Sequence, residues 1–537
     1  MRASCIISLF LFVHSIASQQ IWDIWQTTWD RSKLLTRLPQ SSPINFVTPG
    51  PIGSANIEVL DTQLNQNIDG FGSTLTDSSA LTLINLKNTN PTNYNNLLRQ
   101  MFDATDGAAT AGLNYIRLPI GASDFSPYSY SWDDSPGDTS FSCFSVTAPC
   151  YVFSVLQDIR AINNRIKVHI LPWSPPGWMK TTGVMTGGSL ASQYVSIYST
   201  YLLKAVQGVQ NQGISVYAIS TQNEPQNNNP TYPTCTMTPQ IEGQIGTSLR
   251  TLLDNNGLSN VKIVGYEHNW DTAGAYPITL MQDAGNAFSG VAFHCYGGDV
   301  TQQDTFHNAY PSKEIYFTEC SGTFGTDWWS DMKWYMDKLF VGSLEHNARN
   351  ALMWNFALDG SGNPKLPGTN SCGGPGCRPL ITVNSDGSFS PNQEFWAMAQ
   401  ASRAIVPKDP GGPFGQRIGV SVTGTLNWAL RVGAYVAGRT STQPPRYSLV
   451  VLNWYDNAST TWNPVPVTTT ILFRGMQATI TFPVGITTIW WFAPAPGIML
   501  SESALRINST TIVPGDWSSA KTAQIVMQVN GTTHIDL

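Results

Sequence analysis

Eight short apolar runs, each closing in polar or aromatic residues, set the strongest limit on what this chain can fold into. They are IDGFG (68–72), YIRLPIG (115–121), KVHILPW (167–173), VYAISTQNE (216–224), KIVGYEHN (262–269), GVAFHCY (290–296), EIYFTE (314–319) and ALMWNFAL (351–358). They are near-continuously apolar rather than alternating, the pattern of strands buried on both faces. The segments between them read as helices. The clearest runs from Ser189 to Gly213, with a Ser cap, Tyr, Leu and Val at helical spacing, and a closing Gly. Strand and helix alternating eight times predict an α/β chain with a (β/α)8 barrel over 67–405, in preference to a doubly wound sheet.

After residue 406 the texture changes. PGGPFG reads as a linker, and short strand-like pieces separated by turns follow to 497. Residues 19–66 also carry strand character, so both chain ends are expected to build one antiparallel β-sandwich-like domain beside the barrel. Residues 1–18 have a positive start, an apolar run and small residues, the pattern of a secretory signal peptide. Residues 498–537 form an extension with no role that the sequence defines.

Charged residues make up only 12% and the net charge is −6, with no basic cluster. Nucleic acids and anionic membrane surfaces are therefore poor partners. No segment after the leader is apolar enough for stable membrane insertion. The expectation is a secreted monomer, extracellular or in a cell wall. Asn457, Asn508 and Asn530 head glycosylation sequons. With Cys5 assigned to the leader, spacing suggests local disulfides Cys143–Cys150 and Cys372–Cys377. A metal clip is the alternative for the second pair. At least one of Cys235, Cys295 and Cys320 is left unpaired.

In a (β/α)8 barrel the working groups sit at the C-terminal strand ends. The fourth run ends in Asn223-Glu224 and the seventh in Glu319. A charge is costly at the end of an apolar run unless it is used or paired. Two carboxylic acids facing one mouth are what glycoside hydrolysis needs, one to protonate the leaving oxygen and one to attack or to activate water. No G-x-S-x-G elbow supports an esterase or protease, and the seven histidines are scattered without metal-ligand spacing.

The ordered set GFGSTLTDSSAL, RLPIGASDFS, LPWSPPGWMKTTG, TQNEP, FTECSG and MWNFALDGSGNP resembles glycoside hydrolase family 30, from about residue 45 to 497. The resemblance implies a barrel with a side β domain and a retaining mechanism without metal or organic cofactor. It places Glu224 as acid/base and Glu319 as nucleophile, their carboxyls roughly 5 Å apart. Two like charges that close are expected to raise one pKa and keep one group protonated. Arg117 is the expected charge partner of Glu319, and Tyr296 the expected donor to its oxygen. Asn223 is assigned to the sugar 2-hydroxyl, with His294 on the same side of its strand as Tyr296. Trp173 and Trp354 are expected to flank a glucosyl ring and Asp77 to accept from distant hydroxyls. Trp178 and Asp124 are weaker candidates. Asp77 has a second reading as a helix cap. Within the family, TQNEPQNNNPTYPTCTMTP and NFALDGSGNPKLPG look most similar to the fungal members that cleave β-1,6-glucan. Glucosylceramide is the alternative substrate and xylan the third. A carbohydrate-binding wall protein without activity is the non-enzyme alternative, disfavoured because both carboxylates are present.

Overall fold

The computed structural model describes residues 19–39, 42–149 and 151–495. The leader, the sequons at Asn508 and Asn530, the extension from 498, and Cys150 lie outside these residues. Each of the eight apolar runs becomes a strand: β1 (Gly70–Thr74), β2 (Tyr115–Ile120), β3 (Lys167–Pro172), β4 (Val216–Ser220), β5 (Lys262–Asn269), β6 (Gly290–His294), β7 (Glu314–Glu319) and β8 (Asn350–Asn355). They form one sheet in the order β7-β6-β5-β4-β3-β2-β1-β8, every neighbour parallel. The sheet nearly closes between β7 and β8. There Arg349 N–H donates to the Ile315 carbonyl at 2.8 Å and Trp354 N–H to the Cys320 carbonyl at 2.8 Å. β2 and β8 are buried along their whole length, which explains their unbroken apolarity. At Gly72 a Cβ would sit 1.7 Å from the Tyr115 carbonyl oxygen, so β1 and β2 approach more closely than any side chain allows.

Six C-terminal strands and three N-terminal ones build the second sheet. Its order is Met476–Phe482, Val467–Phe473, Ala55–Asn67, Gln416–Thr423, Leu430–Ala437, Arg446–Asn453, Gly485–Phe492, Asp23–Thr28 and Thr36–Arg37. All pairs are antiparallel except Val467–Phe473 with Ala55–Asn67. The helix Gln393–Ile405 is buried on all but one of its residues and ties the sheet down. Gln400 donates to Thr27 Oγ1 at 2.9 Å, and Ser448 Oγ donates to the Ala404 carbonyl at 2.8 Å.

The fourth barrel helix departs from expectation. It spans Val195–Asn211, preceded by a short 3-10 turn, and no side chain caps its start. Ser189 pairs instead with Thr181 in the preceding loop, N–H to carbonyl at 2.9 Å and N–H to Oγ1 at 3.2 Å. Those backbone bonds hold Ser189 in the loop, six residues before the helix begins. No helix among the described residues is long and apolar enough to cross a membrane.

Candidate active site

The strand ends gather three carboxylates, an arginine and three histidines around one mouth. Arg117, on β2, is wholly buried. Its Nη1 donates to Glu319 Oε2 at 2.5 Å, and its Nη2 to Asn223 Oδ1 at 2.5 Å and to Glu267 Oε2 at 3.2 Å. Tyr296 reaches back from the loop after β6 and donates its hydroxyl to Glu319 Oε1 at 3.0 Å. Both oxygens of Glu319 thus carry a donor, and its charge is set against a guanidinium that water cannot screen. Arg117 occupies Asn223 Oδ1, which leaves the Asn223 amide NH2 as the group able to donate to a ligand.

Glu224 lies four residues past the end of β4, at φ 46°. Its backbone N–H donates to the Glu267 carbonyl at 3.0 Å. Asn227 Nδ2 donates to its Oε2 at 2.8 Å. Its Oε1 is 3.0 Å from His294 Nδ1 and 3.8 Å from His268 Nδ1. Burial alone would raise the Glu224 pKa, but hydrogen bonds and charge from His268 and His294 outweigh it and hold the carboxyl well below the usual range. This corrects the expectation that a like charge keeps Glu224 protonated. The nearest partners are imidazoles that hydrogen-bond the carboxylate rather than a second acid, so the shift has the opposite sign. His294 carries the matching change. Burial lowers its pKa, yet Glu319, Glu224 and Glu267 together raise it to about 9. The two shifts run in the same sense, favouring the carboxylate on Glu224 and the proton on His294.

Glu267 escaped the sequence analysis. It sits in a bulge of β5, where the register with β6 shifts between Gly265 and His268 and both Tyr266 and Glu267 have positive φ. The bulge turns Glu267 into the barrel. There it accepts from Ser220 Oγ at 2.6 Å and Thr318 Oγ1 at 2.7 Å, and stands 3.2 Å from His294 Nε2 and 3.4 Å from His169 Nε2. Burial opposes its charge, but Arg117, His294 and His169 prevail and its pKa falls well below normal. The signal that singled out Glu319, a lone acid at the end of an apolar run, is present in KIVGYEHN too. His169 and His268 were also missed. The donor atoms of Glu224, His268 and His294 lie within 4.8 Å of one another. Residues scattered in sequence are therefore gathered in space, which spacing could not reveal.

The remaining candidates fall into two groups. Trp173 and Trp354 come to the site but face each other, ring centroids 5.0 Å apart, with the Arg117 guanidinium 4.8 and 5.7 Å from their rings. Each is 3% exposed. They brace the floor and Arg117 rather than presenting an open face. Asp77 is buried and accepts from Ser126 Oγ at 2.5 Å and from Tyr130. It does not cap its helix, because Thr76 holds that position. Asp124 is the aspartate that feels both glutamates. Burial, Glu319 and Glu224 push it up to about 7. Its Oδ2 accepts from Ser371 at 2.6 Å, and its buried Oδ1 has no hydrogen-bond partner among the described residues. Trp178 instead donates to the Asp133 carbonyl at 3.0 Å.

Two disulfides frame the mouth. Cys295–Cys320 joins the residues that follow His294 and Glu319. Cys372–Cys377, expected from its spacing, lies in the loop that carries Ser371. Cys235 is the buried free thiol of the three cysteines left open.

A buried arginine–carboxylate pair beside a second acid, at the C-terminal mouth of a (β/α)8 barrel, defines a class of glycosidic-bond hydrolases. The glycosyl hydrolase family 30 TIM-barrel domain matches residues 68–403, and the chain belongs to that family. It is a glycoside hydrolase of the retaining type. The endo-1,6-beta-D-glucanase of Neurospora crassa is 31% identical over 77% of this chain and 84% of its own length. Putative glucosylceramidase 2 of Caenorhabditis elegans is 28% identical over 66% of this chain and 71% of its own. The solved endo-beta1,6-glucanase BT3312 is 26% identical, with TM-score 0.74, covering 88% of this chain and 99% of that one.

Proposed function

We propose that the protein is a secreted endo-acting hydrolase of β-1,6-glucan that works by double displacement, with Glu319 as nucleophile and Glu224 as acid/base. The observation that carries the roles is the asymmetry of the two glutamates. Arg117 and Tyr296 each donate to one oxygen of Glu319 and fix its aim, while Glu224 lies 3.0 Å from His294 Nδ1. In the first step a Glu319 oxygen bonds to the anomeric carbon as the glycosidic C–O bond breaks. The leaving oxygen takes a proton from Glu224. Glu224 has that proton from His294, which passes it on as substrate covers the site and is left neutral, so Glu224 ends the step as a carboxylate. In the second step Glu224 takes a proton from water, the water oxygen bonds to the anomeric carbon, and Glu319 is released. Asn223 Nδ2 is assigned to the sugar 2-hydroxyl.

The linkage rests on the relatives. The Neurospora 1,6-glucanase likeness covers 77% of this chain; the loop after Glu224 carries Asn227, which contacts the acid/base. Two disulfides beside the site support an oxidising compartment outside the cell. The test is product release from linear β-1,6-glucan, xylan and glucosylceramide, with Glu319→Gln as control. Short oligomers from β-1,6-glucan alone, absent in the variant, are the expected result. Release from glucosylceramide or xylan alone would keep the mechanism and overturn the substrate.

A further inference from the structure

Outside the mouth, one face collects every exposed tryptophan among the described residues. Trp428 is 55% exposed, Trp462 45% and Trp334 39%. Trp334 and Trp428 line a cavity of about 430 Å³, and Trp462 lines a second of about 560 Å³. Ser330 and Lys333 line both, so the two form one groove across the helix Trp328–Trp334 and the loops of the side sheet. No residue of the catalytic mouth lines either cavity.

Exposed indoles are an apolar cost in water, and three on one face mark a binding surface. These are held still. Trp428 packs edge-on against Tyr455 at 4.9 Å, and Trp462 edge-on against Trp29 at 4.9 Å. Rigid aromatic plates lose little entropy when a ligand lies on them. Two pairs of charges around the groove are matched within the chain. Lys333 is 2.7 Å from Asp456, and Asp337 is 3.0 Å from Arg431. The other charges that line the groove are of both signs: Arg31 lies 4.5 Å from the Trp328 ring, and Asp30 and Asp327 accept from the Ser32 and Ser330 backbone N–H groups, so the surface favours neither an anionic nor a cationic ligand. It fits a neutral polyhydroxylated chain, whose sugar rings present apolar C–H faces to indole and hydroxyls to Ser330 and the charged rim.

We propose that this groove is a second polysaccharide-binding site, which holds the β-glucan chain on the enzyme apart from the point of cleavage. The identity of the polymer rests on the proposed substrate; the groove does not. The test is adsorption of the catalytically silenced Glu319→Gln protein to insoluble β-1,6-glucan, with and without Trp428→Ala and Trp462→Ala. Loss of adsorption by about tenfold or more is expected, with the melting temperature retained and, in the active protein that keeps Glu319, the ratio of activity on insoluble glucan to activity on short oligomers reduced. Trp334→Ala is a second probe, should either variant fold poorly. Asn457→Gln is measured alongside, because that sequon adjoins Ala458 of the groove. Equal adsorption by parent and tryptophan variants overturns the site. So does a change of oligomeric state without a change in adsorption, which would make the face an interface between copies, or an effect confined to Asn457→Gln, which would make it the seat of the chain's own glycan. If wild type does not cleave β-1,6-glucan but the tryptophan variants still lose adsorption to the polymer it does cleave, the site stands and the substrate reading falls.

Discussion

Glu224 and Glu319 are chemically the same residue, and their surroundings separate them. Glu319 is paired with Arg117 and Tyr296, so Glu319→Gln removes the nucleophile and turnover should vanish in any glycoside assay. Glu224→Gln should lower kcat by about 10²–10⁴-fold on glucan. It should cost far less on an aryl glycoside whose leaving group needs no proton, and an equal loss on both substrates would refute the acid role. Glu267→Gln tests the third carboxylate. It removes one of the charges that raise His294 to about 9, so the alkaline limb of kcat/KM should move to lower pH. Leaving Arg117 and His294 short of a buried partner should also cost up to about 3–5 kcal/mol of stability. A pH profile that stays fixed would reduce Glu267 to a structural role. The sequence displayed Glu224, Glu319 and Arg117 because each closes or punctuates an apolar run. Glu267 was equally visible in KIVGYEHN but sits before the strand ends, and only the bulge turns it inward. The orientation of Trp173 and Trp354 was not readable, because two indoles stacked on each other and two lining a cleft have the same local sequence.

At the scale of elements, the barrel strands were legible because burial on both faces writes itself as unbroken apolarity. The start of the helix Val195–Asn211 was not, since a loop contact took the serine that looked like its cap. The pairing of Cys295 with Cys320 was also hidden. The two cysteines are 25 residues apart, and only the neighbouring ends of β6 and β7 bring them together. That bond joins the residues after His294 and Glu319, so it clamps a proton carrier to the nucleophile. The double variant Cys295→Ser/Cys320→Ser should lose about 3 kcal/mol of stability from the closed loop alone. Denaturant unfolding with and without reductant measures it, and reductant should weaken wild type by more than it weakens the variant, which keeps Cys372–Cys377. A variant that unfolds at the wild-type midpoint would deny the clamp any stabilising part.

For the whole molecule, contributions from both chain ends to one sheet could be read from texture. The strand order could not, because the parallel pairing of Val467–Phe473 with Ala55–Asn67 joins segments far apart in sequence and leaves no local trace. Buried acids set the molecule's response to pH in the same non-local way. Asp77 and Asp124 keep their protons up to about 7 in the folded chain, against 3.8 ordinarily. Between those values the folded state binds more protons than the unfolded one, so stability falls as pH rises. Each accounts for at most about 4 kcal/mol, at about 1.4 kcal/mol per unit. His294, raised to about 9, acts in the same sense: its stabilisation is complete below 6.5 and is lost as pH rises through about 9. His169, lowered to about 4 by burial, runs the other way between about 4 and 6.5 and offsets one aspartate. Below about 4.5 the trend reverses, since Asp69, held at about 2 by Arg349 and Lys167 against its burial, and the low Glu224 and Glu267 lose their stabilisation as pH falls. Near 8 the window closes, where Lys180, lowered to about 8 by burial, begins to add stability with rising pH. The melting temperature should therefore fall steadily from pH 4.5 to 8. Asp124→Asn should flatten that slope and raise the melting temperature at pH 8 relative to wild type. A wild-type curve that rises across this range would show that Asp77 and Asp124 ionise in the folded state, and that their burial is relieved by water.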